Sequence, residues 1–459
     1  MEHYDVVVVG GGPAGLSAGV KCAENGVKTL IIEKDPIDTA KKAWITFQQA
    51  VDAWDLKDCV VARVRGLNFN SVFGGGTAKA SKYAGFTIDQ SLFSKEMLDK
   101  VKVDVWDSTK VIDAKRKDGK ALLKVDGNGN GNGNGNGKEE IEASLVIDAT
   151  GSFSPVARML GKKVNLKMGF IGHGVKLSGS ENLLPYFGLD EETVGFWGGS
   201  FRNFSSGLKG YMWDGALYPY EDGSIDVCCG ETGGYPPAVR KRQLKNEDEF
   251  CKNRLEKRWG FLQDFYKKGF SKGKVVKRYH GFIKENLEKR PFDDNLLMVG
   301  DNTGRVSLVT GEGFQPALLY GKMVGDFATK AITEGKTDKS YLSQWNLILD
   351  ENELTGRTWS KIVNLVLRMG SDYMVAFVIS CLGRFAVKFG EDEIINLMNT
   401  GKVHEKDIFE YGMEIMKHLA KLMLSSGYRK EFMGGKYIQR KYPEAKIWID
   451  PKIKEIFGL

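Results

Sequence analysis

The chain is poor in the residues that build metal centres. It has 5 histidines among 459 residues, and they are scattered. Its 6 cysteines form no Cys-x-x-Cys pair. Zinc and iron–sulfur sites rest on such spacings, so their usual signatures are absent. The adjacent Cys228 and Cys229 are expected on opposite faces of a strand, where they would not bond to each other. Reduced thiols in a cytoplasm are the expectation. Long apolar runs are missing too. Met374–Leu382 is apolar almost without a break, yet a bilayer span needs about 20 such residues. The chain enters a strand almost at once, so no secretory leader is expected. Neither charge sign dominates: 66 Lys and Arg stand against 59 Asp and Glu, a net +7. That hints at an acidic partner or an anionic membrane surface and no more. No nucleic-acid-binding motif accompanies it.

What is present starts at residue 5. Asp5-Val6-Val7-Val8-Val9 reads as a buried parallel strand. Gly10-Gly11-Gly12-Pro13-Ala14-Gly15 follows, a G-x-G-x-x-G opening a helix through Ser17, Ala18, Val20 and Ala23. Leu30-Ile31-Ile32 is a second strand, ending in Glu33. Gly10 permits the tight turn, Gly12 lets a pyrophosphate reach the backbone, and Gly15 lets helix and strand pack closely. The helix N-terminus then favours the phosphates. Glu33 is placed to accept hydrogen bonds from both ribose hydroxyls of an adenosine. With strand, helix and acid in register, the motif is specific for a dinucleotide. The bland alternative is a glycine-rich turn in an ordinary α/β protein.

This motif alone does not separate FAD from NAD; a second segment does. Asn295–Val299 leads to Gly300-Asp301, then to Thr310-Gly311-Glu312-Gly313-Phe314 and a helix to about Thr333. A flavoprotein needs this return, because the chain must hold the ribityl chain and the isoalloxazine. Asp301 suits a ribityl hydroxyl. Gly311 and Gly313 would bring backbone N–H groups to the pyrimidine edge, where the helix dipole favours the anion of the reduced flavin. Gly321 and Gly325, four apart, suit close packing of that helix against another element. A third segment, Leu145–Asp148 followed by Ala149-Thr150-Gly151, is again a strand ending in a turn. Gly74-Gly75-Gly76 precedes no helical pattern with a downstream acid, so no second nucleotide domain is expected. Electrons would come from a transient donor: a ferredoxin, a deazaflavin or a briefly bound NAD(P)H.

Together these three segments resemble the flavoprotein class of aromatic hydroxylases, geranylgeranyl reductases and lycopene cyclases. From Met1 to about Thr333 the likeness is strongest to the FAD-dependent geranylgeranyl reductase family, of the digeranylgeranylglycerophospholipid reductase-like kind. It implies an α/β fold: a Rossmann-type FAD-binding domain like that of aromatic hydroxylases, a β-rich substrate domain and a helical C-terminal region. To the cofactor residues already named it adds Pro13, Ala14, Lys34, Gln90, Ala149, Thr150, Gly151 and Phe314. The chain departs from the family pattern in places. Lys41–Trp44 stands where a cysteine–glycine pair is usual, Gln90 where an arginine is common, and Leu308 where a proline is expected. The proton donor is therefore open.

The expected division is 1–165 with 286–335 for FAD, including a hairpin around 121–145, then 166–285 for substrate and 336–459 as the helical region. Thr193–Phe196, Gly210–Trp213 and Ser224–Cys228 read as strands of a mainly antiparallel sheet. Its dense aromatics suit either a sheet core or a long apolar tunnel. Tyr211, Trp213, Tyr218 and Pro219 resemble the aromatic–proline segment lining the lipid tunnel of geranylgeranyl reductases, with Asp214–Leu217 as extra residues. Glu231 resembles the surviving acid of a glutamate-rich segment in lycopene cyclases, which protonate a polyene; it reads equally as a solvated strand end. The alternation of Gly and Asn from Gly127 to Gly137 reads as a hairpin tip with no assigned function. Trp359–Leu367 and the apolar run after it suit an interfacial helix flanked by Arg368, Arg384 and Lys388, or a helix packed on the cofactor domain or a dimer partner. The tail from Tyr428 is basic and aromatic, fitting anionic headgroups or a solvated surface.

The leading functional expectation is reduction of isoprenoid C=C bonds in a prenyl lipid. A redox-neutral cyclase or isomerase using reduced FAD is the alternative, followed by a flavin monooxygenase and a lipid-binding flavoprotein without catalysis. The protein is expected in the cytoplasm, with peripheral membrane contact.

Overall fold

A computed structural model describes residues 1–37, 43–71, 74–83, 85–127, 137–166, 168–198, 209–234, 266–306 and 312–354, with isolated positions elsewhere. The chain divides into two units: 1–60, 88–167 and 283–355 form the first; 61–87, 168–282 and 356–459 form the second.

The first unit is built on the apolar strand read from the sequence, Glu2–Val9. It pairs in parallel with Thr29–Ile32 on one side and Gly137–Asp148 on the other. The sheet continues through Asp104–Trp106 beyond one neighbour, and through Leu296–Met298 and Phe292–Asp293 beyond the other. Both faces of the central strand are buried, which is why its valines run without alternation. On one face a Cβ at Gly19 of the first helix, Pro13–Glu24, would strike Ile31 and come near Val8, so helix and sheet touch closely there. On the other, Val7, Val9, Leu30 and Ile32 share a core with Val111, Leu123, Val125 and Ile141. Those last four belong to an antiparallel meander, Thr109–Lys117, Lys120–Gly127 and Gly137–Asp148. Gly127 pairs with Gly137, so the Gly/Asn alternation does join a hairpin; residues 128–136 lie outside the described residues.

The long helix Phe314–Thr333 lies against the first helix. A Cβ on Gly321 would lie 2.6 Å from the Ala14 carbonyl oxygen, and one on Gly325 2.7 Å from the Lys21 Cβ. Ser17 Oγ donates to the Leu318 carbonyl at 2.7 Å across the same contact. The two glycines thus have the packing role their spacing implied. Two short helices, Lys339–Leu342 and Gln344–Glu351, continue the unit, with Trp345 buried and donating through Nε1 to the Met298 carbonyl.

The second unit is a seven-stranded sheet in the order Lys274–Lys284, Met168–Ser178, Ile225–Gly234, Lys209–Pro219, Thr193–Gly198, Gly66–Ser71, Gly74–Lys79. All three strands expected from the sequence are in it. Its central ladders are antiparallel, while Thr193–Gly198 runs parallel to Gly66–Ser71. Sequence analysis did not single out the Gly66–Ser71 and Gly74–Lys79 pair. Arg65 and Glu192 bind them to Thr193–Gly198 with a 2.7 Å ion pair. Cys22 and Cys59 are buried free thiols. Among the described residues no helix is long and apolar enough to cross a membrane, and no cluster of three or more His, Cys, Asp or Glu could hold a metal ion. Met374–Leu382 and the basic tail lie outside the described residues.

Candidate cofactor site

Four strands of the first unit end side by side, and the segments that follow them are tied together. Gly10 N–H donates to the Ile32 carbonyl at 2.8 Å, Ala149 N–H to Val9 at 2.9 Å, and Val299 N–H to Asp148 at 3.1 Å. Gly10 adopts φ +113°, and a Cβ there would lie 2.3 Å from the Ala149 carbonyl oxygen. A Cβ on Gly15 would come within 1.8 Å of the Gly10 oxygen. These glycines are therefore required by backbone closeness. At Gly12 a Cβ would meet nothing within 4 Å. That open backbone is what the motif needs where phosphates would lie.

The first helix begins with Gly12 as N-cap and Pro13 after it, and no side chain caps it. The uncapped N–H groups of Ala14 and Gly15 suit a pyrophosphate. Glu33 is held at the tip of its strand. Its Oε2 accepts the Gly11 N–H at 2.6 Å and its Oε1 the Asp35 N–H at 3.1 Å. Each carboxylate oxygen has two acceptor sites, so both keep one for a ribose hydroxyl. Lys34 is exposed beside it. Gln90 starts the helix Gln90–Asp99, which Asp89 caps by accepting from the Ser91 and Leu92 N–H groups.

The third turn depends on Asp148, which sequence analysis treated only as part of a strand. It is fully buried and accepts from Thr150 N–H, Thr150 Oγ1 and Ala157 N–H. Burial raises its pKa against those hydrogen bonds. Its carbonyl accepts from Asn302 Nδ2 at 2.6 Å, joining Ala149-Thr150-Gly151 to the Gly300–Thr303 turn. Lys284 fixes that turn from below. Its side chain is 0% exposed, and its ammonium donates to Glu288 at 3.1 Å and to the Asn302 carbonyl at 2.9 Å. An acid at a strand end and a lysine four residues before a glutamate were the only signals in the sequence, and both are commonplace.

Gly300 adopts φ +84°, and a Cβ there would lie 2.9 Å from the Ala14 Cβ. The Gly300-Asp301 turn therefore sits on the N-terminus of the first helix. A Cβ on Gly313 would lie 3.7 Å from Asp301 Oδ1, so the start of the long helix reaches the same place. Thr310 and Gly311 lie outside the described residues. The Phe314 ring is buried against Trp44 and Phe93, each centroid 5.1 Å away. It anchors the helix end, and its N–H donates to Glu312. Glu312, which no motif assigned, also accepts the Gln315 N–H at 2.6 Å.

The first unit thus gathers Gly10–Gly15, Glu33, Ala149–Gly151, Gly300, Asp301 and Gly313 at one end of a parallel sheet. Open backbone at Gly12, uncapped amides and a carboxylate with spare acceptors fit an adenine dinucleotide. The return of the chain through Asp301 to a second helix terminus fits FAD.

In the second unit Trp213 and Glu231 are cross-strand partners, and Glu231 also pairs with Ile171. The side chains of Tyr211, Trp213 and Glu231 lie outside the described residues. Asp214–Leu217 continue the ladder to Tyr218 and Pro219, which pair with Asp226 and Ile225 just before the hairpin turn.

Comparison with known proteins agrees with this reading. A family model described as lycopene cyclase protein matches residues 5–183. A digeranylgeranylglycerophospholipid reductase of Methanococcus vannielii is 28% identical over 75% of this chain and 81% of its own. One from Thermoplasma volcanium is 25% identical over 80% and 92%. The crystal structure of a geranylgeranyl bacteriochlorophyll reductase-like protein from Thermoplasma acidophilum matches with a TM-score of 0.69 and 21% identity, over 92% of this chain and 100% of that one. A p-nitrophenol 4-monooxygenase from Pseudomonas putida matches with a TM-score of 0.57 and 15% identity, over 87% and 98%. The chain thus has the fold of the flavin-dependent reductases and monooxygenases, and it resembles, as its own motifs imply, the geranylgeranyl reductases.

Proposed function

We propose that this protein is an FAD-dependent reductase of isoprenoid double bonds in a prenyl lipid. The carrying observation is the likeness, over three quarters of the chain, to proteins named digeranylgeranylglycerophospholipid reductase, joined to a first unit whose strand ends fit FAD. The flavin would supply a hydride to one alkene carbon, and the other would receive a proton. The chain's own part is to bind and orient. The amides of Ala14 and Gly15 would hold the pyrophosphate, Glu33 the ribose, and Asp301 a ribityl hydroxyl. The aromatic strand around Tyr211, Trp213 and Tyr218 would hold the apolar chain and keep water from it.

Glu231 is the candidate acid, supported by its place opposite Trp213 in the ladder. An external donor, whether ferredoxin, deazaflavin or NAD(P)H, would supply electrons. We place the protein in the cytoplasm, touching the membrane through its C-terminal region. The lycopene cyclase match keeps a redox-neutral reading in view, but residues 5–183 hold mostly cofactor motifs.

The test is an anaerobic single turnover. Reduced, FAD-loaded protein is mixed with a geranylgeranyl lipid, and flavin absorbance is followed. Reoxidation in step with lipid consumption supports the reading. Flavin that stays reduced while the lipid changes favours the cyclase.

A further inference from the structure

Glu312 stands immediately before the long helix and is 4% exposed. Its carboxyl accepts the N–H groups of Gln315 and Phe314. It therefore occupies the positive end of a 20-residue helix, the place where a bound anion is most favoured. Asp301 comes to the same end, 3.7 Å from where a Gly313 Cβ would be. Two carboxyl groups thus come to one helix terminus. Burial above all, with the Asp301 charge adding to it, pushes Glu312 up to about 8, against the two backbone hydrogen bonds.

Resting on the flavin reading above, we infer that Glu312 takes up a proton when a flavin bound at this helix end is reduced, so that loading the cofactor with electrons is coupled to pH. The reason is charge. Two-electron reduction of the flavin with one proton leaves an added negative charge at a helix end already shared by two carboxyls. A reductant gives the two electrons, and solvent gives two protons. One proton goes to the flavin and one to the ionised Glu312 carboxylate, which cancels the added charge. Where Glu312 is already protonated before reduction, only the first proton is taken up. Among the described residues, Asp301 is the charged group that acts on Glu312, beside the Phe314 and Gln315 amides.

The test is the midpoint potential of the FAD-loaded, full-length protein from about pH 6 to 10, for wild type, E312Q and E312D. Each proton taken up in a two-electron step moves the potential by about 30 mV per pH unit. Above about pH 8 the wild type should take up one proton more than E312Q, and the two slopes should converge below about pH 7. In E312D, which keeps an ionisable group on a shorter stem, the break should persist at a shifted pH. Parallel slopes in wild type and E312Q overturn the inference and leave the flavin reading standing. If E312Q does not fold, an unmoved break in E312D overturns it instead. Failure of the wild type to retain FAD overturns the flavin reading and this inference with it.

Discussion

Gly15 has no room for a single methyl group, because the Gly10 carbonyl oxygen occupies that space at 1.8 Å. Gly15→Ala should therefore push the first helix off its strand and abolish flavin retention, whereas Gly12→Ala, with open space around it, should fold and lose only affinity. Flavin fluorescence after desalting, beside circular dichroism, separates the two. Glu33→Ala should keep the fold and weaken FAD; full flavin occupancy in that variant would sink the ribose assignment. Glu312 gives a pH prediction for the flavin-free protein. Its folded pKa, about 8, lies above its ordinary value of 4.5. The folded chain thus holds the extra proton between those values, and stability falls as pH rises through that window. Glu312→Gln removes the loss, so its melting temperature relative to wild type should be higher at pH 9 than at pH 5. An unchanged difference would count against the assigned ionisation. At this scale the glycines were legible because their role is steric and local. Glu312 and Asp148 were not, because what makes each notable is burial beside partners from distant segments.

Two elements carry the site, and both are placed by close contacts. The first and long helices meet through Gly321 and Gly325, and Gly321→Val would drive a branched side chain into the Ala14 carbonyl. The expected cost is about 1–3 kcal/mol or somewhat more, read as a lower denaturant midpoint with flavin affinity falling alongside. The Gly300–Thr303 turn rests on the buried Lys284–Glu288 pair. Lys284→Met strands a buried carboxylate and should cost about 3–5 kcal/mol, while adding Glu288→Leu should restore most of it. Failure of the second change to rescue would mean the lysine acts through Asn302 alone. The long helix was legible from its glycine start to about Thr333, because a strand, a glycine turn and a helix follow one another without interruption in the sequence. The turn beneath it was not, because Lys284 and Asn302 are 18 residues apart and nothing in their spacing brings them together.

Across the whole molecule, the first unit is readable from sequence because three strand–turn segments repeat one physical solution that suits a dinucleotide. The second unit is harder. Alternation marked two of its seven strands, around Thr193–Phe196 and Ser224–Cys228, but the parallel pairing of Thr193–Gly198 with Gly66–Ser71 joins segments more than a hundred residues apart. Trp213 and Glu231 came forward separately, and only the ladder register sets them opposite each other. Glu231→Gln therefore tests chemistry: a cyclase should lose turnover by orders of magnitude, whereas a reductase with another proton source should keep most of it. The most direct measurement is the mass of the lipid recovered after anaerobic incubation with the dithionite-reduced, FAD-loaded protein. The account predicts a gain of about two mass units for each double bond, the mass of the hydride and proton that flavin-dependent reduction delivers. A rearranged product of unchanged mass would contradict it.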